Sequence, residues 1–337
     1  MSDTFAIGIV GTGVVAEQIA ASLIERAFPV SSLRFLVAAA ALGDTVEVEE
    51  RAFPIESLED VTGNLDLVFL TTETDWQERD IDSLVLSGAM LIDLSGRYAR
   101  EPDVPLLVPE CNSDLADTAT DRRIVASPDA VAIALGVVLS PLRAEAGLRR
   151  VVATCLEPVS EAGTAGIQEL SRQSVDLLQG RSPEAEVFPV RVAFNILPRL
   201  GDIAPSGDSG AEERAVWQVR RVLDDPDLPV SITRICTPHF FGTGIALNVE
   251  LLTPLDAADA ASLLRSSPGI LATLPEEEDD LGLADAVGQD ATLVSRVRGD
   301  RSGADTLNLW VAIDNTRKGS AVNAVQIAES LFLNPSR

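Results

Sequence analysis

The sequence predicts a two-domain α/β chain whose first part is a doubly wound parallel sheet. Three observations predict it. Thr4–Val10 alternates into a buried strand that runs directly into Gly11-Thr12-Gly13-Val14-Val15-Ala16 and then a helical pattern over Val14–Ala27. Segments of strand length recur at Leu33–Ala38, Leu65–Thr71 and Gly88–Asp93 in alternation with helices, and Leu65–Thr71 is a continuous apolar run of the kind buried in a parallel sheet. The length of 337 residues supplies two cores.

In the first unit of that pattern the glycines permit a tight turn and close approach of a pyrophosphate to the helix N-terminus, which makes Gly11, Thr12, Gly13, Val14 and Val15 candidate cofactor-binding residues. A plain tight turn is the alternative. After the second strand, Ala38-Ala39-Ala40-Ala41-Leu42-Gly43-Asp44 offers no cation for a 2′-phosphate, and Asp44 reaches a ribose hydroxyl only if the loop folds back. Thr72-Glu73-Thr74-Asp75 follows Leu65–Thr71 and sets two carboxylates at the strand crest, a hindrance to an anionic ligand. Arg122–Leu142 reads as a short strand (Ile124–Ala126), a break at Ser127-Pro128-Asp129 that could cap a helix, and an apolar run Ala130–Leu139 that forms a buried helix. Such a helix start gathers free N–H groups at one point, suited to an oxyanion or a thiolate. An ordinary core helix start explains the stretch as well. From Leu148 the texture changes: a strand over Val151–Leu156, a loop Glu157–Gly166, helices over Ile167–Leu178 and Glu212–Leu223, and a strand entered at Gly242-Thr243-Gly244. Glu276–Asp280 reads as a solvated acidic loop without calcium-ligand spacing. A strand over Thr306–Ile313, a glycine turn and an amphipathic helix close the chain.

A net charge of -26 repels phosphate backbones and anionic lipid, so neither nucleic acid nor a membrane surface is an expected partner. MSDTFAIGIVG lacks the basic start of a signal peptide, and no apolar run reaches membrane-spanning length. Cys111, Cys155 and Cys236 are odd in number and scattered, which fits free thiols in a cytoplasmic protein and no metal site.

Four segments carry a family resemblance: Pro102–Asn112 (PDVPLLVPECN), Ala193–Pro198 (AFNILP), Arg234 ahead of Gly242–Glu250, and Ile313–Glu329 (IDNTRKGSAVNAVQIAE). On them the chain resembles the aspartate-semialdehyde dehydrogenase family. The resemblance implies a Rossmann-like nucleotide-binding domain over 1–129, an α+β dimerisation and substrate domain over 130–315, and a C-terminal helix over 316–337 that packs back on the first domain. It implies a homodimer, and NADP or NAD as cofactor, with NADP selectivity unsupported because the family's 2′-phosphate loop is the alanine run above. Where the family reads Asn-Pro-Asn-Cys-Ser-Thr this chain reads Ser127-Pro128-Asp129-Ala130-Val131-Ala132, so the nucleophile position is Ala130. Thr243 stands at the general base, and Glu157 and Glu161 stand at a glutamine and a glycine. Arg234 is the family's carboxylate-binding arginine. The substrate-phosphate arginine aligns with Ala99, flanked by Arg97 and Arg100, and Arg214 takes the place of a phosphate-binding lysine. Asn315, Lys318, Asn323 and Gln326 are in place, with Asn315 and Gln326 as cofactor contacts; bracing of the helix between domains is their other reading.

A methyl and a threonine hydroxyl cannot replace thiolate and imidazole. The expectation is therefore a catalytically inactive relative, similar to the Usg-type paralogues of the family, acting as a dimeric scaffold or a small-ligand or nucleotide binder. The alternative is an NAD(P)-dependent semialdehyde dehydrogenase of amino-acid biosynthesis with altered chemistry, using Arg234 with the single histidine, His239, or a relocated Cys236–His239 pair. A third reading is a heterodimer with an active family enzyme. Ligand and biological process stay open at this level.

Overall fold

The computed structural model describes residues 4–38, 43–58, 61, 64–71, 78–120, 122–199, 201–277 and 281–333. It divides into two compact units, Met1–Asp129 with Ser320–Arg337, and Ala130–Gly319.

The first unit is built on seven strands, β1 (Phe5–Val10), β2 (Val30–Val37), β3 (Thr45–Val48), β4 (Arg51–Ser57), β5 (Leu67–Leu70), β6 (Met90–Asp93) and β7 (Ile124–Ala126), with helices α1 (Val14–Glu25), α2 (Glu78–Leu86) and α3 (Pro109–Asn112). The sheet order is β3-β4-β2-β1-β5-β6-β7. Every pairing is parallel except β3 with β4. The chain runs from β1 through α1 to β2 on one side and returns to β5 on the other, so the crest between β1 and β5 is the topological switch point where such sheets hold ligands. Ile7, Ile9, Phe35, Leu67 and Phe69 from the strands and Ile19 and Leu23 from α1 form its core.

The helical pattern to Ala27 overran the helix. α1 stops at Glu25, and Ala27 turns left-handed at φ 52. Phe28 N–H then reaches Leu23 O and Ala27 N–H reaches Ile24 O, each at 3.0 Å, a Schellman closure made without the usual glycine. The side chain that continued the apolar stripe in sequence sits past the helix end.

The second unit contains α4 (Ala130–Ala146), β8 (Leu148–Glu157), α5 (Gly163–Leu178), α6 (Gly210–Val222), β9 (Val230–Cys236), β10 (Thr243–Leu251), α7 (Ala257–Ser266), β11 (Ile270–Ala272), α8 (Leu283–Ala286), β12 (Thr292–Gly299) and β13 (Thr306–Ile313). α4 is buried along nearly its whole first three turns, which is why its sequence is apolar all round. The six-stranded sheet runs β11-β12-β13-β10-β8-β9 and is mixed. Only β8–β9 and β11–β12 are parallel. Register places Thr243 opposite Ile313, Gly244 opposite Leu156 and Glu157 beside Cys236, so the ends of β8, β9 and β13 and the start of β10 meet at one end of the sheet.

The expected glycine turn after β13 is a turn of π-helix, Arg317–Val322. Asp314 Oδ1 starts it by accepting from Thr316 N, Thr316 Oγ1 and Arg317 N at 2.9, 2.9 and 3.0 Å. It runs into α9 (Asn323–Phe332), which belongs to the first unit and sinks Ala324, Val325, Ile327 and Ala328 into that unit's core. Arg26 Nε and Nη2 grip Glu329 at 2.9 and 2.6 Å.

Candidate functional site

The second unit holds Ala130, Thr243, Glu157, Glu161, Arg234, His239 and Asn315 from among the residues singled out from sequence. Ala130 opens α4 and is buried. A Cβ placed on Gly319 would lie 2.6 Å from the Ala130 Cβ, so residue 319 must be glycine for α4 to start where it does. Thr243 opens β10 opposite Ile313, is fully buried, and its Oγ1 finds no hydrogen-bond partner among the described residues. The segment Ile313–Gly319 thus touches Thr243 at one end and Ala130 at the other.

Arg234, on β9, is held from several sides. Its Nε donates to Glu157 Oε1 at 2.7 Å, and Nη2 pairs with the same oxygen. Nη1 donates to Ala211 O at 3.2 Å, and Glu161 Oε2 stands 3.9 Å from Nη2. Its backbone N–H donates to Glu212 Oε1 at 2.9 Å, while Glu212 Oε2 accepts from Ser209 N at 2.6 Å. Burial pushes the Glu212 carboxyl up, but the N–H groups of Ser209 and Arg234 outweigh it and leave the group below its ordinary value. Sequence reasoning began this helix at Glu212 and missed its role. The Ser209-x-x-Glu212 spacing of a capping box, which the structure completes, was the available signal. Arg214 is exposed on the same helix and Arg234 buried.

Asn315 is committed at both ends of its amide. Oδ1 accepts from Gly242 N at 2.9 Å, and Nδ2 donates to Ser160 Oγ and Glu161 Oε1, each at 3.0 Å. These bonds tie the end of β13 to the loops after β8 and before β10, within the second unit. Gly242 O in turn accepts from His239 Nε2 at 2.7 Å, while His239 Nδ1 lies 2.8 Å from Thr237 Oγ1. A carbonyl only accepts, so Nε2 carries a proton and both ring nitrogens are turned onto their own loop. Burial lowers the ring's affinity for a second proton against the raising effect of Gly242. The relocated Cys236–His239 pair has no support in this geometry: burial, then Glu157 and Glu161, push the Cys236 thiol up to about 11, so no thiolate forms at neutral pH.

In the first unit Gly11 has φ 116 and donates to Leu36 O at 2.9 Å. Gly13 is the extended N-cap of α1, without a side-chain cap, and among the described residues nothing lies within 4 Å of where its Cβ would be. Together with the first-turn N–H groups of Val14 and Val15, this open cradle fits a pyrophosphate. Burial pushes the carboxyl of Glu17, in the same first turn, up. Ala39–Leu42 and Thr72–Asp75, which carry the readings on 2′-phosphate and on crest carboxylates, lie outside the described residues, as do Glu278–Asp280 of the acidic loop. Arg100 is exposed. Asp93, at the end of β6, went unnoticed in sequence: it is buried and accepts from Ser95 N, Ser95 Oγ and Tyr98 N at 2.9, 2.6 and 2.8 Å. Burial still leaves its carboxyl raised. Gln326 Nε2 donates to Glu110 Oε1 at 2.9 Å, and Asn323 Nδ2 donates to Leu107 O and Ser127 Oγ at 3.1 and 2.9 Å. Ser127 therefore serves α9. Among the described residues no cluster of metal-ligating side chains and no membrane-spanning helix is found.

Two family models match the chain: a semialdehyde dehydrogenase NAD-binding domain over residues 6–119 and a semialdehyde dehydrogenase dimerisation domain over residues 139–318. A USG-1 protein homolog from Azotobacter vinelandii is 37% identical over 98% of this chain and 99% of its own. An aspartate-semialdehyde dehydrogenase from Rickettsia bellii is 34% identical over 98% of this chain and 99% of its own. The crystal structure of aspartate semialdehyde dehydrogenase II from Vibrio cholerae, complexed with ASA, matches with a TM-score of 0.95 at 32% identity, covering 99% of this chain and all of that one.

Proposed function

This chain belongs to the aspartate-semialdehyde dehydrogenase family, and from that premise we propose that it is a catalytically silent, dimeric paralogue in the cytoplasm that keeps the family's scaffold and a nucleotide or small-ligand site. The observation that carries the reading is the pair Ala130 and Thr243. At the positions the resemblance gives to nucleophile and base stand a methyl group and a buried hydroxyl. Neither forms a thioester or takes up a proton near neutral pH. The substitutes weighed from sequence are spoken for: Cys236 is a thiol with its ionisation displaced to about 11, and His239 is bonded at both nitrogens. Residues that act as a unit in covalent catalysis lose most of the rate when any one is removed.

The cradle at Gly11–Val15 supports retention of a dinucleotide. The resemblance points to Arg100 in the first unit and to Arg214 in the second as contacts for an anionic ligand, and each is exposed in its own unit. The dimerisation-domain match supports a homodimer, and mixed dimers with an active family enzyme are testable by co-purification.

Reduction of NADP or NAD by the purified protein, with aspartate semialdehyde and phosphate, tests the proposal. The expected rate equals that of the protein-free blank, and turnover on the order of once per second overturns the reading in favour of altered chemistry. The same preparation should melt at a higher temperature in excess NADP or NAD.

A further inference from the structure

Two carboxylates, one at the end of β8 and one in the turn that follows, converge on one buried guanidinium. Glu157 ends β8 and is fully buried; Glu161 lies in the 3-10 turn Val159–Ala162, with its side chain 28% exposed. Arg234, whose side chain is 4% exposed, donates through Nε to Glu157, pairs with it again through Nη2, and has Glu161 3.9 Å away. Glu161 is held in place by Asn315 Nδ2, 3.0 Å from Oε1. One guanidinium against two carboxylates leaves this trio negative.

We propose that Glu157 and Glu161 are tethered stand-ins for a ligand carboxylate, so that the chain fills its own anion site and excludes free carboxylic acids from Arg234. The inference rests on the reading above, that Arg234 is the family's carboxylate-binding arginine, and adds the two residues that decide what can reach it. A carboxylate fixed on the same chain competes at a high effective concentration and gives up little freedom on pairing. A free acid must displace a desolvated, hydrogen-bonded pair and approach a second negative charge. Glu157 is the inner occupant, and Glu161 guards the solvent side.

The test is calorimetric titration with succinate and with acetate at matched ionic strength, chloride serving as control. Wild type, E161A and E157Q/E161A are compared, each checked for fold by circular dichroism. Wild type is expected to respond as it does to chloride. The double variant is expected to bind succinate with a Kd at least about ten-fold below any wild-type value, E161A falling between, and the gain should vanish when R234M is added. Saturable wild-type binding as tight as that of the double variant overturns the proposal, as do folded variants that gain nothing. If the double variant does not fold, E161A decides alone, because Glu161 is partly exposed, and no gain there is fatal. The readout is binding, so its failure leaves the silent-paralogue reading intact, and turnover by the wild type would leave this question to the titration.

Discussion

A histidine ring with both nitrogens held by its own loop titrates differently from one facing solvent. Burial depresses the folded-state pKa of His239 below that of the unfolded chain. Above about 6.5, the unperturbed value, both states are neutral there and the bonds to Gly242 and Thr237 stabilise fully. As pH falls through the unfolded value, the unfolded chain gains a proton that the folded one resists, so this stabilisation is lost on acidification. H239Q should therefore melt below wild type at pH 7.5, and the gap should close towards pH 5; a gap independent of pH would show that the ring is not held as described. The types of residue at 130 and 243 were legible in the sequence. The Glu157–Arg234 pair was not, because its partners are 77 positions apart and meet only through the parallel register of β8 with β9, where Cys155 faces Arg234.

At the scale of elements, the strands and helices with clear periodicity were read to within a few residues, and the sequence located β7 and β13 to the residue, while α4 begins at the expected Ala130 but runs past Leu139 to Ala146. The β3–β4 hairpin escaped because its turn lacks turn residues. Val48 pairs with Arg51, and the two residues between them, Glu49 and Glu50, have φ 47 and 63. That is the left-handed pair of a type I′ turn, which Asn-Gly normally fills. Two glutamates carry no such signal, and they add adjacent like charges. E49N/E50G should raise the unfolding free energy by about 1 kcal/mol, read as a higher denaturant midpoint at unchanged slope. A lower midpoint would mean that the turn is not of this type. Glu212 shows the same limit on the functional side. Its cap on α6 is local and legible, whereas its bond to the Arg234 N–H depends on where β9 lies.

At the scale of the whole molecule, a chain of net charge -26 repels its own copy. The match to a dimerisation domain and this charge together set an expectation about salt. In light scattering, a mass of twice the 35.7 kDa chain should hold at physiological ionic strength and shift towards the monomer as salt falls to about 10 mM, where the Debye length reaches about 30 Å. A monomer at every salt concentration would remove the dimer from the proposal. Strand–helix alternation was enough for the parallel sheet, and the resemblance, carried by the distinctive tail and PDVPLLVPE segment, added the α+β second domain; pairings made at a distance had to wait for coordinates. Ala130 and Gly319, whose close approach was described above, are also the first and last residues of the second unit. That unit is thus a cassette whose ends already touch, threaded into the first unit between Asp129 and Ser320. Domain exchange among relatives could proceed at that seam with two short joins, carrying the Arg234 cluster across as a sealed module.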